Sequence, residues 1–144
     1  MGALSVTALG LSCLRTVSYI AGKYSLRRKV TDTSTRLSRP IISFSTQYIP
    51  VMAAIADAFV STAFLNRVHV AFMDPKLEHG MKHFLAAVSK VAICGQAAKD
   101  IMVLGDRCGA QGLLQANQLD ALLVRMQELS YVIEPISDSG FHLG

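Results

Sequence analysis

Apolar residues recur at three- and four-residue spacing along most of this chain, and that period admits helices and little else. Between Ala3 and about Arg28 the repeat is carried by Leu4, Ala8, Leu11, Leu14, Val17, Ile20 and Tyr24. From Ile41 to about Met73 it passes through Ile42, Ile49, Met52, Ile55, Ala56, Phe59, Ala63 and Val70. Leu77 to Leu104 makes a third such segment. Gln118 to about Leu129, with Leu119, Leu122, Leu123 and Met126 on one stripe, makes a shorter fourth. The expectation is an all-α, up-and-down helical bundle of about four helices in one domain spanning residues 1–144.

Composition narrows the class. At 144 residues the chain suffices for one core. With 51% hydrophobic and 17% charged residues, a disordered chain is not expected. Trp is absent. The net charge of +4 is mild, and no stretch is rich enough in Lys and Arg to form a nucleic-acid arm, so no nucleic-acid partner is expected. A basic balance also suits an anionic ligand such as a nucleotide or CoA phosphate. The three cysteines, Cys13, Cys94 and Cys108, lack metal-ligand spacing and read as reduced thiols of an intracellular protein. Met1 to Leu14 lacks the flanking signals of a secretory leader. Pro40 to Ala56 is uncharged but too polar for a good membrane span, so no transmembrane segment is expected.

Punctuation places the helix ends. Arg27, Arg28 and Lys29 put cations on the last turn of the first segment, where they complement the helix dipole. Val30 to Arg39 is a polar loop, and Pro40 suits the first position of the second helix. Pro50 should kink that helix. Asp74-Pro75 reads as N-cap and first residue of the third helix, Gly105 as its end, and Asn117 as the cap of the fourth. His79 and His83 share a helix face but have no third ligand at a matching offset, so they read as surface histidines.

Two features carry possible chemistry. Gly105-Asp-Arg-Cys-Gly-Ala-Gln-Gly112 interrupts the helical pattern with glycines, which let backbone approach a ligand or another chain closely. Downstream, Glu134 is a lone carboxylate in an apolar run. Such surroundings disfavour its charged form and raise its pKa, as a general base near neutral pH requires.

Three stretches, in order, resemble the C-terminal helical domain of acyl-CoA dehydrogenases and acyl-CoA oxidases. Tyr24-Ser-Leu-Arg-Arg28 is similar to the family's Tyr-Ala-x-x-Arg. Pro40-Ile-Ile-Ser-Phe-Ser-Thr-Gln-Tyr-Ile-Pro50, with Val-Met-Ala-Ala-Ile-Ala56 after it, looks like the oxidase stretch with its Gln pair, Pro and Leu-Ala run. Arg107-Cys-Gly-Ala-Gln-Gly112 resembles the oxidase Cys-Gly-Gly-His-Gly, and Glu134 falls at about the spacing of the family's catalytic Glu. The likeness implies a protein cut down to that bundle, with the N-terminal helical and middle β-domains absent. It implies FAD as cofactor, with Arg28, Gln47 and the loop Gly109, Ala110, Gln111 and Gly112 near its adenine and pyrophosphate end. It implies an acyl-CoA thioester as substrate, with Glu134 removing the α-proton, and a homo- or hetero-dimer with a flavoprotein subunit. A guanidinium is a suitable pyrophosphate partner because its donors form a fixed, always-charged fork.

The chain also departs from the pattern. Val30-Thr-Asp32 stands where the family has Phe-Gly, Ala110 and Gln111 replace Gly and His, and Glu134 is followed by Pro135 rather than Gly. The oxidase-like loop implies a peroxisome, although Phe-His-Leu-Gly at the end of the sequence is no peroxisomal address; cytoplasm or mitochondrion are the alternatives. The functional expectation is α,β-dehydrogenation of an acyl-CoA in fatty-acid or specialised metabolism. The alternative is a non-catalytic truncated bundle that associates with a full-length flavoprotein. High apolar content by itself would also suit a membrane-associated helical protein.

Overall fold

A computed structural model describes residues 2–31, 33, 36–113 and 118–131. Four helices carry it: α1 (Gly2–Arg27), α2 (Ser45–Met73), α3 (His79–Cys108) and α4 (Leu119–Tyr131). The all-α expectation holds, with one small addition. The polar segment after α1 folds back as an antiparallel ribbon of β1 (Lys29–Thr31) and β2 (Ser38–Pro40), in which Val30 faces Arg39. Arg36, at φ 52°, turns the chain between the two strands. A 3₁₀ turn at Ile41–Ser43 then leads into α2.

Pairings fix the helix directions. Ser25 meets Gln47, Gly22 faces Val51, and Ser18 lines a groove with Thr62. As the α1 number falls the α2 number rises, so the two helices are antiparallel. The α2–α3 corner is a five-residue turn, and Asp57 and Gln96, which hydrogen-bond to each other, stand at matching distances from it. That makes a second antiparallel pair. Leu119 of α4 lies beside Gly105, while Met126 lies beside Gly10 and Cys94 of the helices it packs on. The order is therefore up, down, up, down. The C-terminus of α1, the N-terminus of α2, the C-terminus of α3 and the N-terminus of α4 share one end.

The core runs between these helices. Leu14, Val17 and Ala21 of α1 pack with Ala97, Ile101 and Leu104 of α3, Val51 and Ala54 of α2, and Met126 of α4. The most extensive contact is between α1 and α3. It is close because Gly10 lies against Cys94: a Cβ at Gly10 would sit 2.9 Å from the Cys94 Sγ. Buried hydroxyls in α1 are satisfied within their own helix, Thr7 donating to Ala3 O at 2.8 Å, Ser18 to Leu14 O at 2.8 Å and Ser25 to Ala21 O at 2.7 Å. All three cysteines are buried and free, and burial pushes each thiol above its ordinary value, so none is a ready nucleophile.

Several boundaries differ from those the sequence predicts. Gly105 does not end α3; it is helical, and the helix continues to Cys108. Gly109 ends it instead, because the exit there needs φ +56° and ψ −145°, a region that excludes side chains. Asp74 does not cap α3 either. It closes α2, its carboxylate accepting the Lys76 N–H at 2.9 Å, and α3 starts only at His79, after Glu78. α2 runs unbroken across Pro50 as a single helix. The proposed cap Asn117 lies outside the described residues.

α2 is the least enclosed of the three long helices. Its buried residues are Gln47, Val51, Ala54, Ala58 and Val68, whereas Ile49, Phe59, Val60 and Val70 are exposed, Phe59 to 74%. Both α1 and α2 are long and apolar enough to cross a membrane by length and composition, although 39% of the α1 window is buried inside the bundle, against 17% for α2.

Candidate functional site

Three of the stretches singled out in the sequence lie at one end of the bundle. Arg28 follows the last residue of α1. Its N–H donates to Tyr24 O at 2.8 Å, and its carbonyl accepts the Ile41 N–H at 2.9 Å. The chain is thereby pinned on both sides of the ribbon, and the Arg28 side chain is left exposed. Gln47, in the first turns of α2, is 8% exposed, and its Nε2 donates to Ser25 Oγ at 2.8 Å. Ser25 Oγ in turn donates to Ala21 O, so Gln47 is held by a two-step relay onto the α1 backbone. Gly109, Ala110 and Gln111 are exposed in the 3₁₀ turn Gly109–Leu113, at the α3–α4 corner of the same end.

Of the groups a dinucleotide would need, this end offers an exposed guanidinium for its phosphates. Arg28 offers exposed donors beside the ribbon. Gln47 is oriented, but one Nε2 donor is engaged inside the protein. Next to the glycine turn lies a groove of about 310 Å³ lined by Gly105, Gly109, Leu119 and Leu123, and by Asp106 and Asp120. Two carboxylates repel phosphate, so anionic groups would lie on the Arg28 side of this end and not in that groove. Glu134 lies outside the described residues. His79 and His83 are exposed and stack edge to face, ring centroids 4.8 Å apart, and no cluster of metal-ligating side chains occurs among the described residues.

Among the described residues, the largest shift in a titratable side chain falls at a site that sequence reasoning missed. Gln96 Nε2 lies 3.1 Å from Asp57 Oδ2 and 3.2 Å from Asp100 Oδ1, bridging two carboxylates at the α2–α3 interface. Asp100 Oδ2 is buried without a hydrogen-bond partner. Burial first, and then the neighbouring Asp57 charge, push the Asp100 carboxyl up to about 6. A signal was present in the sequence: Asp57 is the one charge between Arg39 and Arg67. The reasoning that marks Glu134 as a lone acid in an apolar run applies to it equally.

Compared with known proteins, the chain matches no family model, no curated protein and no solved structure.

Proposed function

We propose that this chain is the helical-bundle part of an FAD-dependent acyl-CoA dehydrogenase or oxidase, acting in α,β-dehydrogenation of an acyl-CoA thioester. The reading rests on the three family-like stretches. The observation that supports it is their position: Arg28, Gln47 and Gly109–Gln111 come from separate helix ends yet share one end of the bundle. In this reading Arg28 binds pyrophosphate oxygens, Gln47 supplies an amide from a fixed position, and the glycine turn lets backbone lie close to the nucleotide. FAD, when bound, supplies the hydride acceptor. Glu134 is the base that takes the α-proton in this proposal.

Titration of FAD with the chain, followed by flavin fluorescence, tests the cofactor assignment. Arg28→Ala should weaken binding by about tenfold or more, the scale of a charge-assisted contact, while Lys29→Ala should change it little. Equal affinity for the two variants, or no binding at all, removes the assignment. A second reading, a non-catalytic bundle that assembles with a flavoprotein subunit, is favoured by the exposed apolar surface of α2. Glu134→Gln separates the two: it should abolish dehydrogenation by an active complex in the first reading and leave it intact in the second.

A further inference from the structure

Between α1 and α2 lies an open groove of about 460 Å³ that runs along α1 from Arg15 to Leu26, its Leu26 end next to Arg28. Its most buried lining residues are small, Ser18 and Ala58, with the half-buried Gly22 beside them. Ser18 and Thr62 spend their hydroxyls on their own helices, on Leu14 O and on Ala58 O at 2.6 Å, so the small residues ask for no polar partner, and Tyr19 brings the remaining hydroxyl to the exposed rim. Leu26 and Phe59 stand at the edges, both exposed. The α1 rim carries Arg15 and Lys23, and no acidic residue lines the groove. Lys23 Nζ is held 5.5 Å from the Tyr19 ring centroid, over the same rim.

We infer that this groove docks an amphipathic α-helix of another polypeptide segment, with an apolar face and carboxylates along one flank. Arg15 to Leu26 spans about three turns, ~16 Å, which is the length of a short helix lying in the cleft between two others. A helix is the occupant that reaches both the floor and the edges. A membrane surface meets convex faces and would leave the floor empty. A second copy of this chain would bring Arg15 and Lys23 into a net positive field, against its own charge of +4. Arg15 and Lys23 are separated by roughly 12 Å along α1, so the partner's acids fall at positions i and i+7 or i+8, and its apolar anchors follow i, i+3/i+4, i+7.

Fluorescence anisotropy with two synthetic amphipathic peptides tests this. One carries Leu anchors with Glu at i and i+7, and its twin carries Lys at those positions. The acidic peptide should bind at least tenfold tighter to the wild-type chain, and Arg15→Glu combined with Lys23→Glu should reverse the preference. Gly22→Leu should abolish binding by filling the floor. A Cβ at that position meets only Val51 Cγ1, at 3.9 Å, so the variant is expected to fold, and circular dichroism checks that it does. Equal affinity for the two peptides, or binding unaffected by Gly22→Leu in a folded variant, overturns the proposal. So does concentration-dependent dimerisation, or binding to anionic phospholipid vesicles, that Gly22→Leu eliminates, because the groove then serves self-association or a lipid surface.

Discussion

Replacing Asp100 by Asn should stabilise this protein at neutral pH and leave it nearly unchanged in acid. The carboxyl titrates at about 6 in the fold instead of the usual 3.8. Between those values the native state holds a proton that the unfolded chain has released. Stability therefore falls as pH rises through this window, and the loss is complete above the folded value. At ~1.36 kcal/mol per decade the ceiling is about 3 kcal/mol, and partial solvent exposure of the site screens it to roughly 1–2 kcal/mol. Asn keeps the shape and an acceptor for the Gln96 amide, and its own amide can donate to Asp57, so the cost of burying a second charge disappears. Urea denaturation of both proteins at pH 4 and pH 7.5 reads the effect. The comparison is the difference between variant and wild type, because the carboxylates remote from Asp100 titrate alike in both. The Asn protein should gain roughly 1–2 kcal/mol at the higher pH and about nothing at the lower. A loss of stability of equal size at both pH values would refute the reasoning, since Asp100 would then act as an acceptor whose charge is welcome.

Two further outcomes follow from close contacts. Gly10→Ala puts a methyl 2.9 Å from the buried Cys94 Sγ. Overpacking of about 1–3 kcal/mol should exceed the ~1 kcal/mol that Ala gains in a helix, and a Gly10→Ala/Cys94→Ala double variant should recover most of the loss in a thermal melt. Ser25→Ala removes the acceptor for the buried Gln47 Nε2 and should cost about 1–3 kcal/mol by urea denaturation; Gln47→Ala alone, if it costs as much as the two changes together, identifies the pair as one unit.

Helix existence and type were legible because amphipathic spacing is a local property. Leu11, Leu14 and Val17, named by period alone, are buried in α1, and α2 stops at Met73 where the pattern does. Helix ends were less legible, since capping depends on backbone angles and not on composition. Two glycines competed to end α3, and only the exit at Gly109 requires a positive φ. Asp74-Pro75 could start a helix or close one, and the five-residue corner between α2 and α3 made it a closure. Of the candidate site, the residues were nameable one at a time, but that Arg28, Gln47 and Gly109 share an end is a consequence of the alternating helix directions.

The sequence by itself determined four α-helical segments, because the three- and four-residue period makes one stripe per helix that must leave water. Tertiary structure alone decided which stripe faces which. It brought Asp57 within reach of Gln96 and Asp100, turned Gln47 inward onto Ser25, and left Phe59 and the Arg15–Lys23 rim facing out. The physical reason is range: a helix forms from contacts a few residues apart, whereas a carboxylate's pKa or a groove's shape is set by neighbours that only packing between distant segments supplies.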